Sequence, residues 1–581
     1  MIPPSSTASG LPWQLRHDDG RVALAMAQQH GVSELMGNIL AGRGVALAEV
    51  PQFLNPTLRD SLPDPFHLLD MDKAVTRLIR AIAAGERIAV FGDYDVDGAT
   101  STALLSQYFS SLGIAILPYI PDRMTEGYGP SIAAFDTLIG QGAQLIITVD
   151  CGTLAHGPIA HAQARGVDVI VLDHHLSSGA LPNAHAIVNP NRVDEASPHR
   201  NLAAVGVTFL TLVALNQKLK GQEHAPQPLP NLLPLLDIVA LGTVCDVMTL
   251  TGLNRAFVAQ GLKVMAQRRS LGLSVLSDVA RLDGVPNVYH LGFLLGPRIN
   301  AGGRVGASGL GVQLLTATDA AQAQTIAARL DLHNQERQAI EAGVSEQAFA
   351  LAAQQSNMPV IMVAGEGWHQ GVIGIVAGRL KEKFSRPAVV IALENGIGKA
   401  SARSVAGADM GAAVHAALAQ GLLEVGGGHA MAAGFTLRAE KLAELHSFFI
   451  ARMEAAVAAY NEARVMKFDG FLSVSGATLA TLEEIAQAGP YGLGNPGPRF
   501  VINSARILHQ AVMKEKHLRV TLGDASGSGR LNAVAFNAVG TPLGTALMQE
   551  KTLHLLGELK RNEWQGRETA QFMIDDVAKT T

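Results

Sequence analysis

Hydrophobic and polar positions divide the chain into stretches of different period. From Arg87 the runs RIAVFGD, QLIITVD and VDVIVLD are short, continuously apolar and end in Asp, with helix-length segments such as TSTALLSQYFSSLG nearby. Apolar runs without alternation predict strands buried on both faces, and their succession with helices predicts a parallel sheet. PVIMVAG and PAVVIAL open a second α/β unit, and Ala320 to Gln355 carries apolar residues at the spacing of one long helix joining two lobes. The C-terminal part changes to FDGFLSV, HLRVTLGD, LNAVAFN, TLHLLGEL and TAQFMIDDV, short strands at turn-rich spacing that predict a small barrel such as an OB-fold. The start of the chain reads as helical, with a break at Pro51, Pro56, Pro63 and Pro65. The predicted organisation is therefore α/β: a helical lead-in over 1–70, a parallel-sheet domain over 71–318, a connecting helix over 319–356, a second α/β lobe over 357–462 and a β-barrel over 463–581.

A chain of 581 residues is too long for one core. With 48% apolar and 16% charged residues it suits a well-buried protein and argues against long disordered stretches. The only cysteines, Cys151 and Cys245, cannot build a disulfide framework, and their scarcity predicts a reducing, cytoplasmic setting. No early segment joins a basic region to an apolar run and a cleavage site, and the apolar stretch Leu232 to Leu250 is interrupted by Asp237 and Asp246, so neither export nor a membrane is expected. The net charge of −5 advertises no general affinity for nucleic acid, but clustered metal-binding carboxylates can mask a local basic groove.

The candidate chemistry lies at the strand ends. FGDYDVDG carries Asp93, Asp95 and Asp97 at alternate positions after a buried strand, a spacing that can aim several hard oxygens at one cation. An EF-hand loop is excluded because no helix precedes it and no acid stands at its twelfth position. Asp150 follows in TVDCG, and Asp173, His174 and His175 in LDHH. One terminal Asp is commonly a cap or turn residue, whereas three on successive parallel strands converge beyond their carboxyl ends. Imidazole beside carboxylate extends the acceptable metals from magnesium to manganese, iron or zinc. Asp246, in VALGTVCDVM, is an acid in an apolar stretch, which a metal would pair. The cysteines lack partners at CxxC spacing and read as packing residues.

DYDVDG, TVDCG, DHH and the later Asp246, in that order, resemble the motifs of the DHH phosphoesterase superfamily. PDRMTEGYG, LAAVGVTF, GPRINAGGR and GGGHAMAAGF are similar to segments of its RecJ branch, from near Leu40 to the end of the chain. The resemblance implies a DHH domain, a DHHA1 domain and an OB-fold, with two divalent metal ions, Mn2+ or Mg2+. One metal would be held by Asp97, Asp150, His174 and Asp246, and a second by Asp95 and a bridging Asp150. His175 would contact the scissile phosphate while Asp173 orients the histidines. Phe91 stands where several relatives carry a histidine, and Asp93 is the natural substitute ligand.

For the substrate, the resemblance implies phosphate contacts from Arg123, Arg298 and Arg304 in Gly- and Pro-containing loops, with Asn300 beside them. It also implies a 5′-phosphate site at Lys399, Ser401, Arg403 and Ser404 of GKASARS, although Ala402 replaces a glycine common among relatives. Gly427, Gly428 and His429 would offer backbone amides and an imidazole to an anion. Arg499, Arg506, Lys514, Lys516, His517, Arg519, Lys560, Arg561 and Trp564 are the barrel's candidates for a strand path. The implied function is a cytoplasmic, nucleoid-associated, monomeric 5′ to 3′ exonuclease that degrades single-stranded DNA from a 5′ end to 5′-mononucleotides in recombination and repair. A RecQ-type helicase and a single-strand DNA-binding protein would be its partners. The alternatives are a phosphodiesterase for short oligonucleotides or cyclic dinucleotides, against which the extra barrel argues, and an inactive replication scaffold, against which the intact acids argue.

Overall fold

The computed structural model describes residues 2–122, 125–127, 129–177, 179–222, 228–524 and 529–580. In the first lobe five parallel strands lie in the order Leu117–Tyr119, Ile88–Gly92, Leu145–Val149, Asp168–Leu172 and Ala186–Val188. One face packs on Leu78, Phe109, Phe209 and Phe257, the other on Phe135 and Ile159. Burial on both sides is why these strands read as unbroken apolar runs. The lobe's first strand, Ile88–Gly92, sits between its second and third, so the winding reverses between Ile88–Gly92 and Leu145–Val149. A crevice opens at that switch point, beyond the carboxyl ends of both strands.

A helical layer including Val96–Ser111, Leu236–Cys245 and Gly296–Val305 leads to the long helix Ala320–Ala353, which starts where the Asp319 side chain accepts from the Gln322 amide at 2.8 Å. The second lobe is a mixed sheet in the order Val425–His429, Ala432–Arg438, Ile397–Arg403, Ala388–Glu394 and Ile361–Glu366, with only the last pair parallel.

At the C-terminus, Phe500–Met513 pairs with both His517–Gly523 and Thr552–Trp564, and Arg530–Ala535 with Arg567–Lys579 completes a closed five-stranded ring. The barrel differs from the sequence expectation in one strand: FDGFLSV contributes only Gly470–Phe471, at the edge, and the fifth member is the long Phe500–Met513. The first residues are not a purely helical lead-in either. Trp13–Leu15 is a strand paired with Met466–Phe468, and the helices Gly20–His30 and Glu34–Gly42 share a core with Phe500, Leu518 and Phe572 of the barrel.

Candidate metal centre and substrate groove

The strand Ile88–Gly92 delivers Asp93 to the crevice and turns into a helix almost at once. Asp95 caps that helix, its Oδ1 accepting from the amides of Asp97 at 2.9 Å and Gly98 at 3.2 Å. The turn is too tight for any side chain at Gly98, where a Cβ would stand 2.3 Å from the Asp93 carbonyl oxygen. Asp97 therefore lies in the first helical turn rather than on a loop. Its two carboxylate oxygens accept from Ala204 N at 2.7 Å and Val205 N at 2.9 Å. Those amides open the helix Ala204–Leu219, which has no side-chain cap, so Asp97 acts as the anion at its N-terminus.

Asp150 leaves the next strand with φ 61°, and His174 and His175 leave the one after. His174 Nε2 comes within 3.3 Å of Asp150 Oδ1, 3.4 Å of Asp246 Oδ2 and 3.9 Å of Asp97 Oδ2. Three sets, Asp93–Asp95–Asp150, Asp97–His174–Asp246 and Asp150–His174–His175, each hold ligand atoms within 4.8 Å of one another. Asp173 is turned away from them: its carboxylate accepts from the amides of Thr153, His174 and His175 and from His175 Nδ1. Asn189 and Asn191 fasten the same turn by donating to the carbonyls of His175 and His174 at 2.8 and 2.7 Å.

The electrostatics are those of a site built for cations. Burial, then repulsion from Asp95, pushes Asp97 up to about 7. Burial, then the charges of Asp97 and Asp95, raises Asp246 to about 9, and Asp150 is pushed up for the same reasons. Burial and the charge of His175 lower His174 to about 4, leaving it neutral as a ligand must be. Burial opposes protonation of His175 too, but its hydrogen bond to Asp173 overrides this and raises it to about 9. That bond is also a main reason Asp173 stays well below the usual carboxylate range in spite of burial.

Asp150 Oδ1, His174 Nε2 and Asp246 Oδ2 are buried without a hydrogen-bond partner among the described residues. Such atoms are costly unless something unites them. A hard carboxylate set with one neutral imidazole fits Mg2+ or Mn2+. No cysteine belongs to these clusters; burial pushes both thiols up and keeps them protonated.

The comparisons with known proteins bear on all three parts of the chain. Residues 87–243 match the model of the DHH family, N-terminal domain, residues 357–455 the DHHA1 domain and residues 468–576 the RecJ OB domain. The single-stranded-DNA-specific exonuclease RecJ of Escherichia coli is 37% identical over 564 residues, covering 94% of this chain and 95% of that protein. Its Bacillus subtilis counterpart is 33% identical over 98% of this chain and 71% of its own length. The chain belongs to the RecJ family. The crystal structure of RecJ from Thermus thermophilus in complex with Mn2+ superposes with a TM-score of 0.80 at 29% identity, over 98% of this chain and 80% of that one. A second structure from the same organism holds Mg2+.

In this RecJ chain, a groove of about 630 Å³ is lined by Arg304, Lys399, Ser401, Arg403 and Gly427. All of GKASARS but Ser404 lies in the strand Ile397–Arg403, whose alternation places Lys399, Ser401 and Arg403 on a common face. The guanidinium of Arg403 donates to the Ala402 carbonyl at 2.9 Å and to Ser401 Oγ at 3.3 Å, and that of Arg304 to the Gly371 carbonyl at 2.9 Å. GGGH is likewise a strand, Val425–His429, so Gly427 and Gly428 form part of a ladder rather than a loose turn.

Arg298 and Arg304 lie on the helix Gly296–Val305, not in loops. Arg298 is held by Asp331 of the long helix at 2.8 Å and by the Leu294 carbonyl, and it does not line the groove. Asn300 lines a separate apolar cavity with Cys245 and Phe293, while His429 lines a cavity it shares with His175. Arg123 lies outside the described residues. In the barrel, Arg519 and Trp564 share a groove with Phe536, whereas Arg499, Lys560 and Arg561 pair with Asp575, Glu558 and Glu568. Thr153, Asn189 and Asn191 support the site without having stood out along the chain, and the amides of Ala204 and Val205 do so from within LAAVGVTF, a segment noted for its resemblance but given no role. The uncapped start of LAAVG is the physical signal for that role.

Proposed function

We propose that this RecJ chain hydrolyses single-stranded DNA from its 5′ end to 5′-mononucleotides with two divalent metals. The supporting observation is the set of three buried ligand atoms, Asp150 Oδ1, His174 Nε2 and Asp246 Oδ2, that converge without hydrogen bonds, while Arg304 of the cationic groove follows Gly303, which packs on Tyr94 between Asp93 and Asp95. In this reading Asp97, Asp150, His174 and Asp246 hold one metal, and Asp93, Asp95 and Asp150 the other. When bound, such metals supply activation of water and neutralisation of charge at phosphorus.

The remaining groups position the substrate. The protonated His175 offers a fixed positive charge beside the carboxylates, oriented by Asp173. Arg304, Ser401 and Arg403 take the terminal 5′-phosphate, joined by Arg123, Gly427 and Gly428, and so set the register of cleavage. Arg298, held by Asp331, and Asn300 lie on the helix that presents Arg304, and the Arg519–Trp564 groove holds bases and phosphates further along. The same reading assigns single-strand supply to a RecQ-type helicase and a single-strand DNA-binding protein, with the monomeric enzyme working at the nucleoid.

Product analysis on end-labelled strands in Mn2+ tests the proposal. A 5′ label released as mononucleotide at once, with a 3′ label retained in shortening strands, is expected. Release of the 3′ label first would overturn the polarity, and turnover of a dinucleotide alone would overturn the substrate class.

A further inference from the structure

A cavity of about 480 Å³ shares Asp173 and His175 with the metal centre and includes His429 from the second lobe. Its wall is otherwise made chiefly by Pro130, Leu154, Ala155, Pro158 and Leu176. Among the described residues no lysine or arginine lines it. Its one carboxylate, Asp173, is already engaged by the amides of Thr153 and His174 and by the His175 ring. Leu154 and Leu176 are 52% and 57% exposed, which leaves large apolar side chains in water at the edge of a highly charged centre. Apart from Asp173 and the rings of His156, His175 and His429 this surface is chiefly apolar, whereas three cationic side chains for a terminal phosphate stand in the Arg304–Lys399–Arg403 groove. Apolar walls suit the other half of a nucleotide.

We propose that this cavity seats the base and sugar of the 5′-terminal nucleotide, the one about to be released, while its phosphate lies in the cationic groove. The inference rests on the nuclease reading above. A nucleotide at the metal centre has one charged and one flat apolar part; the apolar cavity shares Asp173 and His175 with that centre, and the cationic groove reaches toward it through Arg304, whose neighbour Gly303 packs on Tyr94 between Asp93 and Asp95. Leu154 and Leu176 press on the base through contacts that purines and pyrimidines supply alike, so the cavity adds affinity without selecting sequence. It also retains a mononucleotide after the bond is cut, which makes the occupancy of this cavity a step in product release.

The test uses two single strands of one sequence, both 5′-phosphorylated, one ending in thymidine and the other in an abasic tetrahydrofuran residue. For the wild-type protein in Mn2+, kcat/KM for first-nucleotide release is expected to favour the base-bearing end by about tenfold, the scale of one base packed on a side chain. In Leu154→Ser that ratio falls to within about twofold of unity, the apolar contact being lost. Because Leu154 is exposed, circular dichroism and the melting temperature of the variant should match the wild type. Equal rates for the two ends in the wild type, or an unchanged ratio in Leu154→Ser, would overturn the cavity assignment and leave the nuclease reading standing. Release from neither strand would overturn the nuclease reading and this inference with it.

Discussion

At Asp150 a left-handed backbone of φ 61°, near-complete burial and the charges of Asp93, Asp95, Asp97 and Asp246 coincide. Asparagine tolerates that backbone and removes the repulsion, so Asp150→Asn should raise the stability of the metal-free protein by about 1–3 kcal/mol, the usual range for an uncompensated buried polar group. The same change should abolish nucleotide release and the rise in melting temperature that Mn2+ gives the wild type; calorimetry with and without metal reads both. Asp237 makes a second prediction. It is buried in the helix Leu236–Cys245, and burial raises it from 3.8 to about 7. Between those values the folded state keeps a proton that the unfolded state has lost, so stability falls as pH rises through the window and is lowest above it. Asp237→Asn should therefore raise the unfolding midpoint at pH 8 and change it little at pH 4.5, as followed by denaturant titration. The acids of the centre were legible in the sequence because they end recognisable strands, alternate directly after one, or interrupt an apolar run. The role of the amides that hold Asp97 was not, since Ala204 and Val205, although within the RecJ-like segment LAAVGVTF, have no side-chain chemistry to point to it.

Elements with weak local signals take their form from their neighbours. GKASARS, rich in Gly, Ala and Ser, has little β-propensity, yet it is clamped between Ala388–Glu394 and Ala432–Arg438 and forms a strand. GPRINAGGR contains Gly and Pro but stays helical: its proline sits in the first turn, and a Cβ at Gly303 would stand 2.7 Å from the Tyr94 carbonyl oxygen, so close packing calls for glycine. Period could not foretell either form, because tertiary pairing decided both. The strand assignment has a consequence for function. With Ser401 and Arg403 on one face, the guanidinium is placed as a phosphate clamp, and Arg403→Ala should lower kcat/KM for a 5′-phosphorylated strand by about 10- to 100-fold, the worth of a charged hydrogen bond. A 5′-hydroxyl strand should lose far less, and Arg403→Lys should restore only part of the activity because the fork is gone. Steady-state rates on the two ends check this.

Across the whole molecule the N-terminal residues belong to two bodies. Up to Leu54 they pack with the barrel, through Met26, Ile39 and Phe53, whereas Leu58, Leu62 and Phe66 pack on the first lobe. The tie is specific: Trp13 is fully buried and donates its indole N–H to Asp576 at 2.8 Å, and its strand pairs with Met466–Phe468. No local pattern announces a pairing between residues so far apart in the chain, and the barrel strand Phe500–Met513 was missed for a related reason, since its exposed outer half does not alternate cleanly. Removal of residues 464–581 alone should leave the apolar faces of Gly20–His30 and Glu34–Gly42 open to water and yield an aggregating protein. Removal of residues 1–55 together with 464–581 takes both halves of that core away. The remaining two-lobe chain keeps every ligand of the metal centre and the Arg304–Arg403 groove, and it should be soluble, show the Mn2+-dependent rise in melting temperature, and release nucleotides from short strands. It should lose affinity for long strands, because the Arg519–Trp564 groove has gone with the barrel. If the two chains proved equally soluble, the shared core would not be what holds the lead-in in place.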